Sequence, residues 1–281
     1  MIKKITSVLF LVIAAGFSFF YTEKAIKIAR NNDPIMLKIN SAKDDFTVNL
    51  VEPIIDKDEY VSGINGCEID KDESYSKMKQ NGQFDENLLV MKEIKNKNTS
   101  KNKYIINGNK KERKVSINFL VLKKIDENML SFIKDKKIKI NFFVDGNFLE
   151  ENLDYIKSIS SYGNIYNYGR NGDYIDKYII YDNNLIETIS NNNSNYCITD
   201  KKDDEILNSC NNYDMNIIKT KYYTSDNVLE MKENLSNGNI ITISDIDDVS
   251  KIKMSINYIL SKGYDIVNLD KLLNERNSCK Y

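Results

Sequence analysis

The sequence predicts an α/β fold with a mainly parallel β-sheet from residue 113 to the C-terminus. From Val115 onwards, short apolar strands alternate with amphipathic helices, and this pattern implies right-handed βαβ crossovers. The length of 281 residues and the hydrophobic fraction of 41% allow a sizeable core and exclude wholesale disorder. An open sheet and a closed barrel are both compatible with this periodicity.

The elements of this region follow one another at regular intervals. The predicted strands are Val115–Leu122, Ile140–Val144, Tyr178–Tyr181, Asn216–Lys219, Ile240–Ile243 and Ile266–Leu269. The predicted helices are Glu127–Lys137, Leu149–Ile159 with Gly163 as its C-cap, Glu205–Asn212, Val228–Ser236 and Val249–Ser261. Upstream, a helix at Asp72–Gln80 and a strand at Leu88–Met91 belong to a small α+β region.

The N-terminus predicts a membrane segment. Lys3 and Lys4 precede an uncharged, mostly apolar run from Ile5 to Tyr21, which is typical of a signal anchor or a signal peptide. Bulky aromatic residues follow the small ones where a peptidase would cut, and this favours an uncleaved transmembrane anchor at residues 1–21. Residues 22–94 then form an extracytoplasmic stalk and the small N-terminal region. Secretion after cleavage and a buried core helix are the alternatives.

Residues 95–112 are rich in Lys and Asn and predict a solvated linker. A patch for an anionic wall polymer or lipid headgroups is the alternative for the same lysines. Over the whole chain, 40 basic residues balance 41 acidic ones, and the formal net charge is −1. Because nucleic-acid binding needs a clear basic excess, no nucleic-acid partner is expected.

The four cysteines are Cys67, Cys197, Cys210 and Cys279. An even number in an exported chain permits disulfides, and free thiols are the alternative. Cys197 and Cys210 are the favoured pair because they flank one short connection. The spacings are too wide for a local zinc knuckle.

Histidine is absent from the chain. This absence excludes His-based catalytic triads, imidazole acid–base chemistry and every metal site that contains an imidazole ligand. No P-loop or dinucleotide-binding fingerprint is present either. The sequence therefore indicates a fold more clearly than a working chemistry.

Several sequence blocks in the second half of the chain have the order and spacing of one known family. Lys139–Asn147, followed by a helix and Gly163, has the form of a K-A-T-F-F-V-x-G strand with its helix. Asn212–Ile218, Gly238–Asp245 and Lys262–Leu273 match the later strands and a closing K-G-Y block. Residues 113–275 thus resemble the polysaccharide deacetylases, the NodB-homology type of carbohydrate esterase. The resemblance implies a distorted (β/α) barrel with a ligand groove at the carboxyl ends of the strands.

The chemistry of that family does not carry over to this sequence. The paired carboxylates of the family, a general base and a metal ligand, fall on Leu120 and Val121. The two metal-binding histidines fall on Gly169 and Asp173, and the histidine that acts as general acid falls on Ser244. One carboxylate is too few for a hydrolytic zinc, which needs about three protein ligands. The resemblance therefore implies a degenerate member with no catalytic residues, no metal and no other cofactor.

A ligand groove remains possible without catalysis. The candidate groove residues are Asp145, Tyr168, Asp173, Tyr196, Ser244 and Asp245. Tyr196 falls near the R-P-P-Y segment of the family, here without its arginine, and Tyr168 belongs to a tyrosine-rich stretch. These rings either stack on sugars or fill the space of the lost metal site. The acidic runs Asp200–Asp204 and Asp245–Asp248 suit helix N-termini better than a bound cation.

The expected function is that of a non-catalytic, membrane-anchored envelope protein that binds cell-wall or surface glycan or a protein partner. An active carbohydrate esterase or deacetylase with an atypical site, using Asp145, Asp173, Ser244 or Asp245, is the first alternative. A structural subunit of a membrane complex, which docks through residues 60–92, is the second.

Overall fold

The computed structural model describes residues 2–275 and Cys279. These residues divide into two compact units. The smaller unit contains the described residues up to Leu50, Asn65–Lys95 and Cys279, and the larger unit contains Val51–Ile64 and Asn96–Glu275. Val51–Ile64, which the sequence assigns to the N-terminal region, therefore belongs to the larger unit.

The described residues form helices and strands in alternation. The helices are α1 (Ile2–Asn31), α2 (Pro34–Phe46), α3 (Lys71–Asn81), α4 (Glu127–Asp135), α5 (Gly146–Glu151), α6 (Leu153–Ile159), α7 (Asp176–Ser190), α8 (Asp204–Asn212), α9 (Val249–Ser261) and α10 (Leu269–Leu273), with short 3-10 helices at Glu86–Leu88 and Val228–Lys232. The strands are β1 (Ile54–Asp56), β2 (Glu59–Val61), β3 (Gly66–Ile69), β4 (Met91–Ile94), β5 (Tyr104–Asn107), β6 (Lys114–Val121), β7 (Ile140–Val144), β8 (Gly163–Asn167), β9 (Tyr196–Thr199), β10 (Asn216–Lys219), β11 (Tyr222–Tyr223), β12 (Ile240–Ile243) and β13 (Asp265–Ile266).

The smaller unit combines helices α2 and α3 with the antiparallel strand pair of β3 and β4. Asp33 and Asp70 begin the two helices, and each side chain accepts hydrogen bonds from backbone N–H groups of the first turn. A disulfide joins Cys67 in β3 to Cys279. The buried apolar residues of this unit are Ile35, Ile39, Ile69 and Met78.

Helix α1 contains the predicted membrane segment Ile5–Tyr21. Phe17, Phe19, Phe20 and Tyr21 are all exposed on it. Within the part of the chain that the structure describes, no helix combines the length and the hydropathy needed to cross a membrane. The anchor stays a prediction at this point.

The larger unit contains two sheets. The first has the order β11–β12–β6–β7–β8 with all neighbours parallel, and β13 pairs with the start of β6. The second has the order β1–β2–β5–β10–β9 and is parallel except for the β1–β2 pair. The predicted α/β fold with parallel strands is thus confirmed.

The shortest connection between the two sheets is Thr220 and Lys221, which separate β10 from β11. Among the described strands, β8 and β9 belong to different sheets, and the hydrogen-bonded strands do not close into one ring. Side chains of both sheets meet in a common interior core, so the arrangement is barrel-like but split. The interior core includes Ile105, Leu120, Phe143, Tyr166, Tyr196, Ile198, Ile218 and Ile240.

Alternate residues of β6 point to opposite sides of the sheet. Leu120 belongs to the interior core, whereas Phe119 and Val121 belong to a second core that packs against helices α4, α6 and α9. One layer below Leu120, the strand register aligns Thr242, Asn118 and Asn141. Asn118 Nδ2 donates to Thr242 Oγ1 at 3.1 Å, and Asn141 Nδ2 donates to Asn118 Oδ1 at 2.9 Å. These two hydrogen bonds link strands β12, β6 and β7, and they provide the buried amides with partners inside the core.

Two predictions in the central region are wrong. Tyr178–Tyr181 is not a strand but part of helix α7, in which Ile179, Asp182 and Ile186 share the buried face. Gly163 is not a helix C-cap but the first residue of β8. A Cβ atom on Gly163 would overlap the backbone of Ile140 in β7, so glycine is needed here for close strand approach rather than for a turn.

The predicted linker at residues 95–112 is also wrong. It contains strand β5, which lies between β2 and β10 in the second sheet. Tyr104 and Ile105 are buried there. A short apolar run is enough for a strand when both of its neighbours are supplied by distant parts of the chain.

Several element boundaries differ from the prediction. The strand expected at Leu88–Met91 begins only at Met91, and the helix expected at Val228–Ser236 is a 3-10 helix that ends at Lys232. The segment Ile266–Leu269 is divided between β13 and α10. Strands β8 and β9 are missing from the predicted set.

Candidate functional site

The groove implied by the resemblance lies at the carboxyl ends of β6, β7, β8 and β12. The two positions that would carry its carboxylates do not face one site. Leu120 is 3% exposed in the interior core, where the register places it beside Phe143. Val121 is fully buried on the opposite, helix-facing side. Neither residue has a polar atom in its side chain, so neither can act as a base or bind a metal.

Asp145 follows β7 and begins helix α5. Its Oδ1 atom accepts hydrogen bonds from the backbone N–H groups of Asn147 at 3.0 Å and Phe148 at 3.3 Å. Its Oδ2 atom accepts one from the backbone N–H of Asn171 at 2.6 Å. The side chain is 4% exposed. Asp145 is therefore a helix cap that also fastens the loop after β8.

That loop contains the positions of the two histidine ligands. Gly169 has φ +72°, and a Cβ atom there would overlap the carbonyl of Asp173, lying 2.8 Å from its carbon. The backbones of Arg170 and Asp173 exchange hydrogen bonds at 3.0 and 3.1 Å, which makes the turn tight. Position 169 has no room for a histidine in this loop. Asp173 is present but exposed.

Arg170 holds the same loop on its outer side. Its guanidinium bonds to Glu150 at 2.7 Å and to Asp182 at 3.1 Å, and it lies 3.9 Å from the centre of the Tyr178 ring. The hydrogen bond to Glu150 raises the pKa of Arg170. Burial raises the pKa of Asp182, which is fully buried in α7. Arg170 lies only three positions from Asp173 in the sequence. Its guanidinium nevertheless pairs with Glu150 and Asp182, which are farther away along the chain.

Two of the candidate groove residues are tyrosines, Tyr168 and Tyr196. Tyr168 follows β8, is partly buried and interacts with the nearby Tyr222. Burial raises the pKa of both phenols. Tyr196 is deeper, 8% exposed, and its ring meets that of Tyr166 edge-on at 5.2 Å. Of the two tyrosine candidates, Tyr168 is at the groove and Tyr196 belongs to the core.

Ser244 and Asp245 follow β12. Ser244 Oγ donates to the backbone carbonyl of Tyr223 at 3.3 Å. Asp245 accepts a hydrogen bond from Ser225 Oγ at 2.7 Å and one from the backbone N–H of Asp247 at 3.0 Å. The bond from Ser225 lowers the pKa of Asp245. Ser244 fastens this loop to β11, and Asp245 fastens it to the segment after β11. Among the described hydrogen bonds, none gives Ser244 a basic side chain that would activate it as a nucleophile.

A hydrolytic metal does not fit the residues at this edge. The aligned positions supply one apolar side chain, one glycine and one exposed carboxylate, whereas such a site needs about three protein ligands. Across the described ranges 2–275 and 279, no cluster of three or more His, Cys, Asp or Glu residues has the arrangement of a metal site.

The cysteine pair that the sequence favours is joined in the structure. Cys197 in β9 and Cys210 in α8 form a disulfide across 13 residues, and both are fully buried. The bond fixes α8 to β9, the strand of the second sheet that also carries Tyr196.

Comparisons with known proteins show which solved structures have a similar fold. No family model matches the sequence, and no curated protein matches it. Among solved structures, BA3943, a CE4 family pseudoenzyme from Bacillus anthracis, is similar with a TM-score of 0.62 and 20% identity over 88% of this chain and 97% of that one. PdaA, a family 4 carbohydrate esterase from Bacillus subtilis, is similar with a TM-score of 0.51 and 16% identity over 61% of this chain and 85% of that one. The chitin deacetylase of Colletotrichum lindemuthianum also reaches 0.51 at 16% identity, over 60% of this chain and 90% of that one.

The likeness to BA3943 extends over more of this chain than the likeness to the two esterases, which stops near three fifths. The resemblance to polysaccharide deacetylases is thus confirmed at the level of the fold: this chain has the fold of carbohydrate esterase family 4.

Proposed function

We propose that this protein is a non-catalytic member of the polysaccharide deacetylase fold that binds cell-envelope glycan outside the membrane. The observation that carries the proposal is the loop after β8. Gly169 has no room for a side chain, and both carboxylate oxygens of Asp145 accept hydrogen bonds from backbone N–H groups. The backbone of this loop therefore excludes a metal-ligating side chain at position 169. The site differs from a metal site by more than the loss of one residue.

The remaining positions agree with an inactive site. Deacetylation by a metal-bound water needs a metal ligand set, a general base and a general acid. Leu120 and Val121 are buried and apolar, and the hydroxyl of Ser244 is bonded to a backbone carbonyl. BA3943 is itself named a pseudoenzyme, which makes an inactive member of this fold a known possibility.

Glycan is the proposed ligand because aromatic and carboxylate side chains remain at the groove. Tyr168, with Tyr222 beside it, offers a ring for a sugar, and the exposed Asp173 offers acceptors for its hydroxyl or amide groups. The structural neighbours include enzymes named for chitin and for peptidoglycan N-acetylglucosamine. N-acetylated amino-sugar polymers are therefore the first class to test.

Membrane attachment is proposed to occur through α1. The exposed Phe19, Phe20 and Tyr21 form an aromatic group, followed by Lys24 and Lys27 one and two turns later. Aromatic rings followed by lysines are typical of the border between acyl chains and headgroups. Protease treatment of intact cells tests this point, because an outward-facing chain is digested and an internal one is protected.

Glycan binding is tested by titrating the full chain, in detergent micelles, with chitin oligosaccharides and peptidoglycan fragments. Tyr168→Ala is expected to weaken binding at least about fivefold, equivalent to about 1 kcal/mol. Tyr181→Ala is the matched control, since Tyr181 is 48% exposed on α7 and should leave binding unchanged. Asp173→Asn is a second variant that alters an exposed side chain and should not disturb folding.

Absence of binding to either glycan would refute the glycan proposal and favour a protein partner or a structural role. The esterase alternative predicts instead that a generic acetyl ester is hydrolysed and that Ser244→Ala removes this activity. The hydrogen bond from Ser244 to a backbone carbonyl speaks against that result.

A further inference from the structure

A second cavity lies at the amino-terminal ends of β7 and β8, at the edge opposite the groove. Its volume is about 420 Å³. Lys134, Lys137 and Lys139 line it, together with Tyr162 and the apolar side chains of Ile133 and Ile138. We call it the lysine cavity, after these three lysines.

The lysine cavity has one sign of charge. Among the residues that the structure describes, no aspartate or glutamate lines it. In the described part of the chain, no salt bridge involves Lys134, Lys137 or Lys139. Lys139 Nζ donates to the backbone carbonyl of Ser161, at 3.2 Å. Because the whole chain is almost neutral, three exposed lysines without carboxylates form a local excess of positive charge.

Lys137 occupies a backbone position that usually belongs to glycine. Helix α4 ends with hydrogen bonds from Lys137 N to Lys134 O at 3.0 Å and from Ile138 N to Ile133 O at 3.3 Å, and Lys137 has φ +54°. This is a Schellman motif with lysine at its left-handed position. Helix α9 ends in the same motif with Gly263 at that position, φ +75°.

We propose that the lysine cavity binds a polyol or sugar polymer joined by phosphodiesters. Lysine ammonium groups act as point charges that suit phosphate, whereas planar carboxylates are matched better by the fork of arginine, which is absent from the lining. The partly buried ring of Tyr162 provides an apolar surface for the carbon skeleton between phosphates. A recess also suits a narrow polymer better than the plane of a bilayer. The lysine cavity is separate from the groove and does not depend on the glycan proposal.

The test titrates the full chain in neutral detergent micelles with poly(glycerol phosphate). The triple variant Lys134→Gln, Lys137→Gln, Lys139→Gln is expected to weaken binding roughly 100-fold at low salt, since each lysine close to an anionic polymer contributes about a fivefold factor. The matched control neutralises three exposed lysines of the segment 95–112, Lys97, Lys101 and Lys110, and should change binding less than about threefold.

Three results would overturn the proposal. One is no binding at low salt, and another is an equal loss in the control variant. The third is equal competition by polyglutamate, by single-stranded DNA or by micelles containing phosphatidylglycerol, which would assign the lysines to any polyanion or to a lipid headgroup.

Lys137→Gly separates binding from folding. Removing the left-handed strain should leave the Tm unchanged or raise it by up to about 4 °C. The affinity for poly(glycerol phosphate) should fall about fivefold. Unchanged affinity would show that the Lys137 side chain has no part in the lysine cavity.

Discussion

Replacing Gly169 by alanine measures how firmly the loop after β8 excludes a side chain. Gly169 has φ +72°, and a Cβ atom there would overlap the carbonyl of Asp173. Gly263 has nearly the same φ, +75°, but a Cβ atom on Gly263 would have nothing within 4 Å. The two alanine variants therefore share the cost of the left-handed backbone and differ only in the collision with Asp173.

The magnitudes follow from these two contributions. Alanine in the left-handed region costs about 1–2 kcal/mol relative to glycine. The collision adds about 1–3 kcal/mol, because the obstructing atom is backbone and cannot rotate away. Gly263→Ala should lower the Tm by about 2–4 °C, and Gly169→Ala by about twice to three times as much.

Thermal unfolding of the full chain, followed by calorimetry in detergent, gives both values under one condition. The reasoning is refuted if Gly169→Ala unfolds at the same temperature as Gly263→Ala. That result would mean that the loop adapts readily and that position 169 could accommodate the side chain of a metal ligand.

Three further perturbations test the rest of the site. Leu120→Asp restores a carboxylate of the family but buries it at 3% exposure in an apolar core. The variant should be destabilised by about 3 kcal/mol or more and should release no acetate from chitin oligosaccharides. An active, stable variant would contradict this. The double variant Cys197→Ser, Cys210→Ser opens a disulfide across 13 residues and should cost about 3 kcal/mol in urea unfolding, whereas a loss below about 1 kcal/mol would mean that the bond hardly stabilises the fold. Ser225→Ala should cost about 1 kcal/mol at pH 7. Because the folded pKa of Asp245 is lowered, this contribution is present at neutral pH and disappears as the pH falls through that pKa, and a difference that persists in acid would contradict the assignment.

The sequence predicts the parallel α/β fold well because its strands and helices carry clear periodicity. Ile140–Val144, Asn216–Lys219, Ile240–Ile243 and Val249–Ser261 have the bounds expected from the sequence. Tyr178–Tyr181 misleads because four bulky apolar residues in a row favour a strand, and only the longer spacing from Ile179 to Ile186 shows the helix.

The site is harder to predict because its side chains act through contacts that are distant in sequence. Asp145 has the position of a groove residue, but its role follows from Asn171, 26 positions away. The partnership of Arg170 with Glu150 and Asp182 depends on the packing of α5 and α7, which no local pattern reveals. The lack of space for a side chain at Gly169 depends on the position of the Asp173 carbonyl, which the sequence does not reveal. The residue types at the positions aligned with the family's carboxylates and histidines, in contrast, can be read from the sequence alone.

Acetate release from N-acetylated chitin oligosaccharides and peptidoglycan fragments tests the central claim most directly. The full chain is incubated with each glycan in turn in the presence of Zn²⁺, Co²⁺ or Ni²⁺, and acetate is measured against a blank without protein. We expect release indistinguishable from the blank for every metal, together with measurable binding of at least one glycan. Acetate release above the blank that a chelator abolishes would contradict the claim.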